Sequence, residues 1–401
     1  MDDLLVIEEP APLGNNQIPV SDPNDIELEK EVFDVDKTET NSINSLMDKP
    51  FDPTKIDIDT KTPSLDTLIK RIRNKTVQLE TESYFQRKDD LWDVVKQSRL
   101  IESILIRFPL PAFFFDATDD NNWLVVDGLQ RLSSIRNFVV NKTLKLTNLE
   151  FLSHLNGSNW DDLPEDLKRI IEESQVVIYK IMPGTPTDVK FNIFKRINTG
   201  GLVLEPQEIR HALFQGKPAD FIAELAQSNA FIKATGGKIK THRMLDRDFV
   251  NRFLCFYLFG FQEYYTDLDT YMSKAMASIY EKSKPNLDKI TADFNESMEL
   301  CHLVFKDEAF RKVTGKYDRL PPINKAIFDA LSVAFAVLDE SERQVIKMNK
   351  SKMKQIFRDL LATDIQFFTS VTSSTGDRGR VFYRHSILQH VMYTLINENN
   401  D

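Results

Sequence analysis

Trp123-Leu124-Val125-Val126-Asp127-Gly128-Leu129-Gln130-Arg131-Leu132-Ser133-Ser134-Ile135 is the stretch on which the reading of this chain turns. Four apolar residues of the kind that fill a buried strand run into Asp127-Gly128, and Leu132 and Ile135 then recur at helical spacing. The pattern predicts a strand, a tight turn and a helix. Glycine in such a turn lets the backbone approach a neighbour or ligand closely, the first helical N–H groups have no partners inside the helix, and the helix dipole favours an anion there. Arg131 would add a charged fork to those donors. A plainer reading fits the same residues, with Asp127 capping the helix and Arg131 as an ordinary surface cation.

On the N-terminal side, Ala112 to Asp116 is a second short apolar run, and the turn-forming Asp119-Asp120-Asn121-Asn122 joins it to Trp123 as a hairpin. Val94, Val95, Leu100, Ile101, Ile104 and Leu105 recur at helical spacing between Leu91 and Arg107, and the helix stops before Pro109. Ser64 is positioned to cap a short helix carrying Leu65, Leu68, Ile69 and Ile72. Leu79 to Phe85 and Leu144 to Leu146 are candidate strands, and the β-branched run Gln175 to Ile181 is a stronger one. Asp188 to Ile197 predicts a helix that ends at Asn198-Thr199-Gly200-Gly201.

From Pro206 onward the periodic segments are almost all helical: 206–215, 218–228, 246–260, 266–283, 286–306, 322–339, 350–361 and 380–397. The expected architecture is therefore α+β, a mixed α/β domain over 59–205 followed by a helical bundle over 206–401. Residues 1–58 read as an acidic, disordered leader. Sixteen Asp and Glu stand against four Lys in residues 1–60, a net charge of −12 out of −10 for the whole chain, so the remainder carries about +2. Such a stretch holds too little apolar surface to offset the entropy of ordering it. The same acidity would also suit a segment that occupies a basic groove or a partner.

Several chemistries are excluded. Cys255 and Cys301 lie far apart in apolar helical patterns, which rules out a disulfide framework or a cysteine-built zinc site. The phosphate-loop pattern G-x-x-x-x-G-K-[S/T] is absent. The first residues lack the basic and apolar regions of a signal peptide, and no apolar run reaches membrane-spanning length, so the expected location is the cytoplasm, with no membrane partner. Arg380 and His385 have the spacing of a short motif in some helical RNases, but His385 and His390 are five apart where a helical metal pair wants four. A packed or solvent-facing pair is the better reading.

Three blocks together resemble the domain of unknown function 262 family, the N-terminal part of GmrSD-type modification-dependent restriction enzymes, related to the ParB/sulfiredoxin-like fold. The first is Phe85-Gln86-Arg87 with Trp92, Ser98 to Leu105 and Pro109-Leu110-Pro111. The second is Val126 to Ser134, which matches the family's Asp-Gly-Gln-Gln-Arg signature except that Leu129 stands in place of the first Gln. The third is Phe194 to Gly201 with Leu204 to Arg210. The resemblance covers roughly residues 60 to 260. It implies a nucleoside triphosphate bound with Mg2+, hydrolysis of it, and a role in defence against foreign DNA. A helical C-terminal region would respond to nucleotide or contact DNA. No His-rich nuclease signature is present, so any cleavage would fall to a separate nuclease or another defence protein.

On that expectation Asp127, Gln130 and Arg131 are the candidate catalytic residues, Gln130 orienting an attacking water and Asp127 holding the metal. Gln86, Arg87, Gly128, Arg131, Arg196 and Asn198 are the candidate nucleotide contacts. Leu129 implies slow hydrolysis. Two alternatives remain: a non-enzymatic module that grips nucleic-acid phosphate through the same residues, and a DNA nuclease.

Overall fold

The computed structural model describes residues 55–79, 92–197, 204–265, 267–315 and 319–398. Gln86, Arg87 and Asn198 lie outside the described residues. In chain order the first part contains β1 (Ile58–Lys61), α1 (Leu65–Arg73), β2 (Val77–Gln78), α2 (Val94–Leu105), β3 (Phe113–Asp116), β4 (Trp123–Asp127), α3 (Leu129–Ile135), α4 (Glu165–Glu173), β5 (Ile178–Ile181), α5 (Thr187–Ile197) and α6 (Pro206–Leu213).

The strands form one mixed sheet in the order β1-β5-β3-β4-β2. Strand β3 is antiparallel to β4 and parallel to β5, β1 is antiparallel to β5, and β2 is parallel to β4. The carboxyl end of β4 therefore lies beside the start of β3, while β2 pairs with the first two residues of β4. Strand alternation sends Trp123 and Val125 into one apolar cluster and Leu124 and Val126 into another. Both faces of β4 are thus covered, which explains its unbroken apolar run. The first cluster also takes Leu132, Ile135, Phe138 and Val139, the inward stripe expected of the helix after Gly128. That helix does not end at Ile135 but widens into a π turn over Arg136–Val140.

Three local expectations need correcting. Residues 144–146 form no strand, because side chains of α2 satisfy the amides that follow: Ser98 Oγ accepts from Thr147 N–H, and the Glu102 carboxylate accepts from the N–H groups of Glu150, Phe151 and Leu152 at 2.7–3.0 Å. Strand β1 starts at Ile58, inside the stretch read as leader, since its pairing with β5 and the packing of Ile58 offset its polar sequence. Helix α4 was missed; among its residues only Ile171 is fully buried.

The rest of the chain is helical: α7 (Lys217–Ala226), α8 (Asn229–Ala234), α9 (Leu245–Phe259), α10 (Leu268–Ile279), α11 (Lys284–Phe305), α12 (Lys325–Ala336), α13 (Glu340–Met348), α14 (Lys350–Thr363), α15 (Ile365–Ser370) and α16 (Arg378–Asn397). Phe249, Phe253 and Phe256 form its core with Phe294 and Phe328. Helix α6 is the seam: Ile209 and Ala212 pack under the sheet, while buried Arg210 turns to the helical part. Among the described residues no helix is long and apolar enough to cross a membrane.

Candidate functional site

The turn after β4 is built as the sequence predicts. Gly128 is the N-cap of α3 at φ +99°, a left-handed conformation that disfavours any residue with a Cβ. A Cβ there would lie 2.4 Å from Phe113 Cδ1 and 3.2 Å from an Arg131 guanidinium nitrogen. The close approach that glycine permits is thus to the chain's own β3 and to Arg131. A register shift between β3 and β4, at Phe114 and Phe115, sits beside Asp127 and helps aim this end of the sheet. Gly128 has no side chain with which to cap α3, so the start of the helix lacks a side-chain bond from its N-cap.

Arg131 is not a surface cation. It is 8% exposed, donates to Pro111 O, to Ala112 O at 3.0 Å and to Asp127 Oδ2 at 2.8 Å, and stacks 4.5 Å from the Phe113 ring. Burial pulls its pKa below the usual arginine value, and the Asp127 carboxylate pulls it back up. The guanidinium therefore staples the start of β3 to the end of β4. Asp127 is its counter-ion and does not accept from the backbone of the following helix as a cap would.

Gln130 is the second residue of α3, and its Oε1 accepts the Trp92 N–H at 3.0 Å. Leu129 is 6% exposed and packs into the first apolar cluster, facing away from any ligand at the turn. Gln78 pairs with Leu124 of β4, and Trp92 is bonded to Gln130. Arg196 is exposed in the last turn of α5, just before Asn198.

Residues 65–215 match the family described as the N-terminal domain of the GmrSD restriction endonuclease. They form a restriction-related domain. The matched segment runs from the first residue of α1 to just beyond α6, and so takes in the whole Gly128 turn and the α6 seam. No curated protein and no solved structure matches the chain.

Other sequence candidates fall into place around this GmrSD-type domain. Gln207 and Arg210 bond each other at 2.8 Å, and Glu208 completes a capping box with Glu205 while pairing with Arg243 at 2.8 Å. These are structural pairings. His385 is buried against Asp329, Phe256 and Phe261, whereas His390 is exposed. Among the described residues no group of three His, Cys, Asp or Glu is placed to hold a metal.

Sequence reasoning missed Gln97, Asn137 and the Glu102 nest. The one available signal was their polarity at positions where the helical stripe called for apolar residues.

Proposed function

We propose that residues 65–215 bind a nucleoside triphosphate at the Gly128 turn and hydrolyse it with Mg2+, as the nucleotide-responsive part of a restriction-related defence system. The supporting observation is the Gly128 turn itself, where Gly128 gives the first turn of α3 no side-chain cap at the carboxyl end of β4, beside the start of β3. Gly128, with the N–H group of Leu129, would take phosphate oxygens. Gln86, Arg87, Arg196 and Asn198 would be the remaining nucleotide contacts. Arg131 acts here as the group that holds the turn in shape, since its donors already serve Pro111, Ala112 and Asp127.

The donor set fits a metal only in part. Asp127 is the carboxylate at the turn and one of its oxygens is committed to Arg131. Mg2+ keeps several waters and commonly rests on substrate phosphates plus one or two carboxylates, so the ion would arrive with the nucleotide and Asp127 would supply one oxygen. Bound there, it would neutralise charge on the phosphates. A nucleotide that contacts the turn in only one of its states would bias how the sheet domain packs on the helices behind it.

The test is binding of labelled ATP, GTP and CTP together with phosphate release, for the wild type, Arg87→Ala and Gln130→Leu. Loss of a charge-assisted contact in Arg87→Ala should weaken binding about tenfold or more. Arg131→Ala is a poor probe, because it also removes the staple. A folded wild type that binds none of the three nucleotides ends the proposal.

One observation favours DNA as a further partner. Residues 225–245 contain four Lys or Arg and no Asp or Glu, in a chain of net charge −10. Within them Lys238 and Lys240 are exposed on either side of buried Ile239, next to exposed His242. Arg243 is already paired with Glu208 and both lysines have partners of their own, so a phosphate backbone would have to compete for these cations, with binding that weakens as salt rises. Retained DNA binding in a protein with no nucleotide binding would make the non-enzymatic module the better account.

A further inference from the structure

Behind the Gly128 turn two buried amides, Gln97 and Asn137, lie against a cluster of apolar side chains. Gln97 of α2 is 6% exposed and Asn137 of the π turn 7%. Gln97 Nε2 donates to the Trp92 carbonyl at 2.8 Å, Asn137 Nδ2 donates to Gln97 Oε1 at 3.2 Å, and Asn141 Nδ2 donates to Asn137 Oδ1 at 3.3 Å. The other backbone group of Trp92, its N–H, donates to Gln130 Oε1. Two glutamines on different helices therefore hold the N–H and C=O of one residue, and one of those glutamines is the candidate site residue Gln130.

Stability does not call for this arrangement. Burying an amide is costly unless it is bonded, and replacing both partners of a buried hydrogen bond by apolar groups of similar shape is close to neutral. What bonded amides add over Leu or Met is fixed geometry. The π turn supports the same conclusion, since such widened turns break helix regularity and recur where a side chain must be placed for function. Here the turn carries Asn137, which fixes the amide plane of Gln97 by taking its oxygen and leaving its nitrogen for Trp92.

We propose that Gln97, locked by Asn137, is a positioning residue for Gln130: it pins the Trp92 carbonyl so that the Trp92 N–H meets Gln130 and holds that side chain over the start of α3. The consequence for catalysis rests on the reading that this turn takes nucleotide phosphates; the clamp itself does not.

The experiment combines amide exchange at Trp92, followed by NMR, with steady-state nucleotide hydrolysis. Gln97→Leu does not touch the Trp92 N–H, yet it should speed its exchange about tenfold, the worth of one hydrogen bond. It should lower kcat by a similar factor with KM little changed, and Gln97→Leu combined with Gln130→Leu should fall no further than Gln130→Leu alone. Unchanged Trp92 exchange, or additive losses in the double variant, overturns the proposal. A wild type that binds no nucleotide defeats the functional reading, while the exchange result still decides the clamp. Should Gln97→Leu not fold, Gln97→Glu keeps the acceptor for Asn137 and loses the donor to Trp92, and it answers through the same two readouts.

Discussion

At Gly128 the absent Cβ, more than any side chain present, sets the geometry of the turn. Its φ of +99° and the 2.4 Å approach of Phe113 mean that Gly128→Ala meets both backbone strain and a clash with a ring that is itself fully buried. Each effect costs on the order of 1–3 kcal/mol, so the variant should lose several degrees of Tm at the least, measured by calorimetry or circular dichroism. Leu129→Gln bears on a different point. The family carries glutamine there, and the sequence suggested that leucine slows hydrolysis. With Leu129 in the apolar cluster, the substitution trades buried hydrocarbon for an amide and should destabilise by about 2 kcal/mol without raising phosphate release. A rise in turnover would show that position 129 reaches the ligand after all.

Between elements, the joint that matters is an ionic node where α5 and α6 of the matched domain meet α9, α10 and α12. Arg210, 1% exposed, bonds Asp269 at 2.9 Å and Asp248 at 3.1 Å; Lys195 meets Asp269 at 2.9 Å, and Lys325 meets Asp248 at 2.9 Å. Removing Arg210 leaves two carboxylates in low-dielectric surroundings, so Arg210→Leu should cost about 3–5 kcal/mol in urea unfolding. Lys195 is more than half exposed, and Lys195→Met should cost no more than about 1 kcal/mol. Equal losses in the two variants would mean that the node is not the joint described. This is also where sequence reasoning reached its limit. Apolar period and turn chemistry are local signals, and they predicted β3, β4, α3, α5 and most of the helices. Whether Arg131 faces a ligand or a carbonyl, and whether Arg210 faces solvent or Asp269, depends on residues far away in the chain. Strand β1 escaped for the same reason, because its partner lies more than a hundred residues away.

For the whole molecule, the buried charges make stability fall with acid in two separate windows. Burial holds His385 below its ordinary value of 6.5, although Asp329 pulls the other way. The unfolded chain therefore takes up a proton near pH 6.5 that the folded chain resists, and stability declines as pH falls from that point, by at most about 1.4 kcal/mol per pH unit from this one group. The second window belongs to Asp248 and Asp329. Burial pushes both upward, but Lys325, Arg210 and Arg252 around Asp248, and Arg384, His385 and Arg252 around Asp329, hold each at about 2. Their stabilisation is complete above the unfolded carboxylate pKa of about 4 and is lost as pH falls toward 2. Urea midpoints measured from pH 7.5 to 3 should thus show a shallow fall that begins near 6.5 and a steeper one below 4. In His385→Gln the first fall should vanish and the second remain. Persistence of the first fall in that variant would assign it to another group, since His385 is the buried histidine packed on the Asp329 cluster through Phe256 and Phe261.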